Sequence, residues 1–142
     1  LRLCHAALPG MLARGSGAIV NVASVSAFAA TPHSAVYSAS KAALVNFSRG
    51  LHSELLGTGV RVQALCPGFT RTRFHDGADF KGFRQEKLPG FIWLQADRVV
   101  ADSLRALRNN GPVVVVPGWV YQLMSAFIQT PPGRMLLEVV SR

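Results

Sequence analysis

Tyr37 and Lys41 stand four residues apart, and Ser24 precedes the tyrosine by thirteen. Positions four apart on a helix share one face, so here an ammonium would ride beside a phenol. A free phenol titrates near pH 10 and is a poor base at neutral pH. A positive charge within about 4–6 Å favours the phenolate and lowers that value. A phenol tuned in this way can give a proton to a carbonyl oxygen or take one from an alcohol. A serine hydroxyl can hydrogen-bond the same oxygen as charge develops on it. The chemistry this trio suits is proton transfer at an oxygen. No side chain supplies a hydride, so reduction at the adjoining carbon would need a nicotinamide cofactor.

The elements that must position these residues can be read from apolar spacing. Residues 1–13 carry Leu1, Cys4, Leu8, Met11 and Leu12 on a helical stripe that ends at Gly15-Ser16-Gly17. Residues 18–23, Ala-Ile-Val-Asn-Val-Ala, form a short apolar run suited to a strand buried on both faces. Ser24 to Ser34 is uncharged, contains Pro32 and reads as a loop. A long helix is predicted over 35–56, from Leu44, Phe47, Leu51 and Leu55, with Gly57 and Gly59 ending it. Val60 to Cys66 is a second strand, cut off by Pro67-Gly68. Residues 69–94 read as a long loop with a short helix.

The remainder gives a helix over 96–109, a third strand over 113–116 closed by Pro117-Gly118, and a short apolar helix over 119–128. One more helix is possible after Pro131-Pro132. Strand, helix, strand, helix, strand predicts an α/β fold with a parallel sheet and helical crossovers, in one domain. Three strands this apolar need cover on both faces and pairing at their sides. The chain therefore reads as the second half of a larger, doubly wound, Rossmann-like sheet. In such sheets ligands sit at the carboxyl ends of strands, where Ser24, Tyr37, Lys41 and Pro67-Gly68 all fall.

These motifs together resemble one family. Asn21-Val-Ala-Ser24, then Tyr37-Ser-Ala-Ser-Lys41-Ala-Ala-Leu, then Leu65-Cys-Pro67-Gly68-Phe-Thr-Arg-Thr72 is similar to the pattern of a short-chain dehydrogenase/reductase. The likeness runs through residues 1–75 and more loosely through Val116-Pro117-Gly118. It implies a seven-stranded parallel sheet and hydride transfer between NAD(P)(H), with NADP slightly favoured, and a small carbonyl or alcohol substrate. By the same resemblance Tyr37 is the catalytic acid/base, Lys41 lowers its pKa and holds the nicotinamide ribose, and Ser24 orients the substrate oxygen. Pro67, Gly68, Phe69, Thr70 and Thr72 would wrap the nicotinamide, with main chain near Phe69 and Thr70 and the Thr72 hydroxyl near the carboxamide or phosphates. Ser26 is the rival for the serine role, and the family spacing from serine to tyrosine favours Ser24. The segment from Phe69 to Trp93 would act as a substrate lid. The equivalents of helices 1–13 and 35–56 form a dimer interface in the family, so a homo-oligomer is expected.

The sequence also departs from the family. No strand followed by a glycine-rich helix start occurs in it; Gly15-Ser16-Gly17 follows a helix and is a turn. The Asn-Ala-Gly element and the relay asparagine, expected just before Leu1, are missing too. Because the chain starts at Leu1, a start inside a longer reading frame is expected, with the amino-terminal dinucleotide-binding half absent from residues 1–142. The isolated chain is then expected not to reduce carbonyls. The alternative is a truncated, non-catalytic domain that only oligomerises or binds apolar ligands.

Composition narrows the field further. The 142 residues are 49% hydrophobic and 15% charged, against about 25% charged in a typical soluble domain. That excludes disorder. The net charge is +8, and twelve of the fifteen cations are arginines, but they are scattered without a run. A nucleic-acid partner is therefore not expected. Cys4 and Cys66 are too few for a disulfide scaffold, and free thiols point to a reducing, cytoplasmic compartment. His5, His33, His52 and His75 lack ligand spacing, so no metal is expected. Cys66 reads as a small buried hydrophobe rather than a nucleophile. The 25 residues from Asn109 to Gly133 are uncharged. They suit core plus lid, or alternatively a peripheral membrane contact or a wall for an acyl or steroid-like substrate. Pro117-Gly118 and Gln122 interrupt the run, which argues against a transmembrane span.

Overall fold

The computed structural model describes residues 1–29, 32–72 and 89–140, with side chains up to Leu137. The order is α1 (Arg2–Ala13), β1 (Gly17–Val22), a 3₁₀ turn (Val25–Ala27), α2 (Ala35–Glu54) and β2 (Val60–Leu65). Then come β3 (Thr70–Arg71), a 3₁₀ turn (Gly90–Ile92), β4 (Leu94–Gln95), α3 (Ala96–Arg108), β5 (Val114–Val115), α4 (Trp119–Ile128) and α5 (Pro131–Val140). Among the described residues the main sheet is three-stranded, in the order β1-β2-β5, and both pairings are parallel. The α/β class and the helical crossovers are thus as the apolar spacing predicts.

Alternation along β2 explains the layering, because successive strand residues face opposite sides. Val60 and Val62 pack with Cys4 of α1, Ile19 of β1 and Leu51 and Leu55 at the end of α2. Further along the same face, Ala64 and Cys66 pack with Ala23 and Val45. The odd-numbered residues meet α3. Leu65 packs with Val99 and Val115, while Gln63 and Ser103 exchange two buried hydrogen bonds. Arg61 reaches the carbonyl of Leu107. β2 is thus covered on both faces, as a central parallel strand must be.

β1 is an outer strand. Its Ile19 is buried toward α1 and α2, but on the other face Ala18, Val20 and Val22 are exposed. Gly59, just before β2, has φ of +78° and lies so close to the Gly15 carbonyl that a Cβ has no room. Only glycine serves at such a crossing of two turns.

The bare face of β1 departs from the expected burial on both faces, and two further features differ from the expectation. The segment read as a loop over 69–94 carries, besides the short turn, the two-residue strand β3 and the start of β4, which pair in parallel, Thr70 with Leu94 and Arg71 with Gln95. Strand β5 is shorter than the run 113–116. The family's lid, expected over Phe69 to Trp93, lies largely outside the described residues, as does His75.

Candidate active site

The β1–β2 ladder does not stop where the strands end. Ala23 N–H donates to Leu65 O at 2.7 Å, and Val25 N–H donates to Pro67 O at 3.1 Å. Ser24 sits between these two bonds, so its place is fixed relative to the Pro67-Gly68 turn. Its backbone is extended (φ −170°, ψ 159°) and caps the following 3₁₀ turn. Ser24 is buried, at 8% exposure. Its hydroxyl accepts from Ser26 N–H at 3.2 Å and donates to Ser26 Oγ at 3.3 Å. Ser26, the rival serine, therefore braces Ser24.

Tyr37 and Lys41 occupy the first two turns of α2, and both are half-buried. Their spacing places the Lys41 ammonium 5.5 Å from the centre of the Tyr37 ring, a cation–π distance. Lys41 Nζ also donates to Val22 O at 3.0 Å, tying the pair to the last residue of β1. Among the described residues the Tyr37 hydroxyl has no hydrogen-bond partner. Asn21 holds β1 against both helices on this side: its Nδ2 donates to Ser48 Oγ at 2.9 Å and its Oδ1 accepts from Cys4 Sγ at 3.5 Å. Ser48 in turn donates to Leu44 O, as helical serines do.

Pro67 to Thr72 forms a pinned strip. Phe69 O accepts from Leu94 N–H at 2.8 Å, and Thr70 Oγ1 donates to Gly68 O at 3.0 Å. Phe69 packs on Trp93, with ring centres 5.6 Å apart, and Arg71 lies over the same indole. Thr72 is exposed just past β3. Tyr121 of α4 closes the strip from beneath, a role the sequence reading missed. Its hydroxyl accepts from Phe69 N–H at 3.0 Å and donates to Ile92 O at 2.9 Å. The sequence signal for it is a phenol in a largely apolar helix.

Cys66 lies under this site, fully buried. Burial pushes its thiol from 9.0 up to about 11, although the Ser24 amide and the Arg49 and Lys41 charges pull the other way. It stays a protonated thiol at neutral pH, which is the behaviour of a core residue. A cavity lined by His52, Arg61 and Asn110 opens at the opposite, amino end of β2, and none of the candidate site residues lines it.

The family model for short chain dehydrogenases matches residues 1–79, a stretch that takes in every residue from Ser24 to Thr72. The chain belongs to the short-chain dehydrogenase family. An uncharacterized oxidoreductase of Staphylococcus saprophyticus is 46% identical over 76 residues, which are 54% of this chain and 32% of that protein. A short chain dehydrogenase from Burkholderia cenocepacia, solved in complex with NADP, superposes with a TM-score of 0.77 at 25% identity, over 99% of this chain and 54% of that one. A Comamonas testosteroni alcohol dehydrogenase specific for bulky-bulky ketones gives a TM-score of 0.65 at 29% identity, over 95% of this chain and 48% of that one. This short-chain dehydrogenase chain thus spans about half of those structures and about a third of the curated relative.

Proposed function

We propose that this chain carries the proton-transfer machinery of an NAD(P)(H)-dependent enzyme interconverting a carbonyl and an alcohol. The observation that carries the reading is the Lys41 ammonium beside the Tyr37 ring at the carboxyl end of β1, with Ser24 two residues beyond the strand. The donor set suits the nicotinamide end of the cofactor: an ammonium for ribose hydroxyls, and the pinned strip Pro67, Gly68, Phe69, Thr70 and Thr72 for the ring and its carboxamide. When bound, nicotinamide supplies or accepts the hydride.

The chain's own residues handle the proton. In the reducing direction Tyr37 gives its phenolic proton to the substrate oxygen while the carbonyl carbon takes the hydride, so a C=O becomes a CH–OH. In the reverse direction the phenolate takes that proton back. Lys41 sets a positive charge beside the ring and ties the helix to the end of β1. Ser24 hydrogen-bonds the substrate oxygen by turning its hydroxyl proton away from Ser26, and this stabilises the charge that builds there.

Several finer readings go with this one. NADP is favoured over NAD by the NADP complex of the Burkholderia protein. An apolar, bulky ketone is favoured by the Comamonas enzyme's specificity and by the exposed Phe91, Trp119, Leu123 and Phe127 on this chain. Residues 1–142 hold the catalytic half of a Rossmann-type domain and do not turn over alone, since the sequence has no strand followed by a glycine-rich helix start for the diphosphate. Self-association through α1 and α2 is supported by exposed Leu1, Leu3, Leu12 and Val36.

The test is expression of the complete natural reading frame, followed by nicotinamide absorbance with bulky aryl ketones. NADPH-dependent reduction that Tyr37→Phe abolishes is the expected result. A complete protein that self-associates yet oxidises no NADPH or NADH with any ketone overturns the reading in favour of a non-catalytic domain, and a Tyr37→Phe variant as active as wild type removes Tyr37 from the proton transfer.

A further inference from the structure

We propose that Tyr121 is a positioning residue that sets the shape of the Gly68–Thr70 strip before any cofactor arrives. The inference rests on the proposed function, in which that strip faces the nicotinamide. Tyr121 is 3% exposed, although α4 is apolar on its outer side as well. A buried phenol must find partners for its hydroxyl. Tyr121 finds two from separate segments, accepting from Phe69 N–H and donating to Ile92 O.

The ring does as much as the hydroxyl. A Cβ at Gly68 would fall inside the Tyr121 ring, so glycine is required there for the ring to lie against the main chain. Gly118, with φ of +83°, starts α4 beside Leu94, and this backbone conformation brings Tyr121 under the turn. Phe69 thereby has its N–H held by Tyr121 and its C=O held by Leu94. Both of its main-chain groups are satisfied within the protein, so the strip keeps its form without a ligand. A binding surface ordered in advance loses less freedom on association.

The experiment uses the complete natural protein and its Tyr121→Phe variant, which keeps the ring and deletes the two hydrogen bonds. Amide hydrogen exchange at Phe69 reads the clamp directly, and steady-state kinetics read its consequence. In wild type the Phe69 amide is expected to be protected. In the variant its exchange rises by about tenfold or more, the size expected for loss of one such bond. KM for the nicotinamide cofactor rises by about the same factor while kcat changes little. An unprotected Phe69 amide in wild type overturns the proposal even if the variant fails to fold. Exchange that rises with KM unchanged also overturns it, because Tyr121 is then only structural. A wild type with a protected Phe69 amide and no nicotinamide binding removes the proposed function itself, and the positioning role falls with it.

Discussion

The Lys41 ammonium donates to the main-chain carbonyl of Val22, 3.0 Å away, while lying 5.5 Å from the centre of the Tyr37 ring. One side chain thus joins the helix that carries the phenol to the strand that leads into Ser24. Replacing it with methionine keeps the stem and deletes the charge. In the complete protein, Lys41→Met is expected to lower kcat by about 10²–10⁴, the range for loss of assisted proton transfer. Wild-type rates in Lys41→Met would remove the pairing from the mechanism.

Ser24 and Ser26 are separable by experiment. Ser24→Ala removes the hydroxyl proposed to meet the substrate oxygen, and a loss of about 10²–10³ in kcat is expected. Ser26→Ala deletes only the brace at 3.3 Å and should cost less than about tenfold. The reverse ranking, measured with one ketone under the same conditions, would assign the role to Ser26.

Cys66 makes alkaline stability a sensitive readout. Its folded pKa is raised from 9.0 to about 11, so the folded state holds this proton more tightly than the unfolded state. The contribution is fully present below about pH 9 and is lost as pH climbs toward 11. Two units correspond to at most about 3 kcal/mol. Urea midpoints of wild type should fall across this window, and those of Cys66→Ala should fall less. The native thiol should also be inert to alkylation at about pH 8 and react on unfolding. Rapid labelling of native Cys66 would contradict its burial.

The Gln63–Ser103 pair offers a purely structural check. Both side chains are buried, and across β2 and α3 Ser103 Oγ donates to Gln63 Oε1 while Gln63 Nε2 donates to the Ser103 main-chain carbonyl. Ser103→Ala strands the Gln63 carbonyl oxygen and should cost about 1–3 kcal/mol by urea unfolding. Gln63→Leu combined with Ser103→Ala removes both polar ends and should recover part of that loss. A double variant less stable than the single one would show that packing, not hydrogen bonding, dominates here.

Much of this arrangement was legible in the sequence. Long apolar periodicities located α1, α2 and α3, and short, largely apolar runs bounded by glycine or proline located β1 and β2, because burial of those faces is what the elements exist for. Tyr37 and Lys41 were legible because four-residue spacing on a helix is itself a contact. The strands β3 and β4 were not, since two residues have no period. They form through long-range pairing between Thr70–Arg71 and Leu94–Gln95. Helix α5 begins directly at Pro131-Pro132, where prolines lose no hydrogen bond in the first turn. Tyr121 stayed hidden because its partners are main-chain groups at positions 69 and 92, and no side-chain type announces them.

Ala18, Val20 and Val22 leave one side of β1 bare, and the outer rim of that strand carries amide and carbonyl groups with no neighbour in the three-stranded sheet. An open rim beside a greasy stripe is adhesive, because any extended segment can zip onto it. Purified as 142 residues, the polypeptide should behave as a sticky solute: self-seeding on concentration, and kept dispersed by a peptide that adds one more strand.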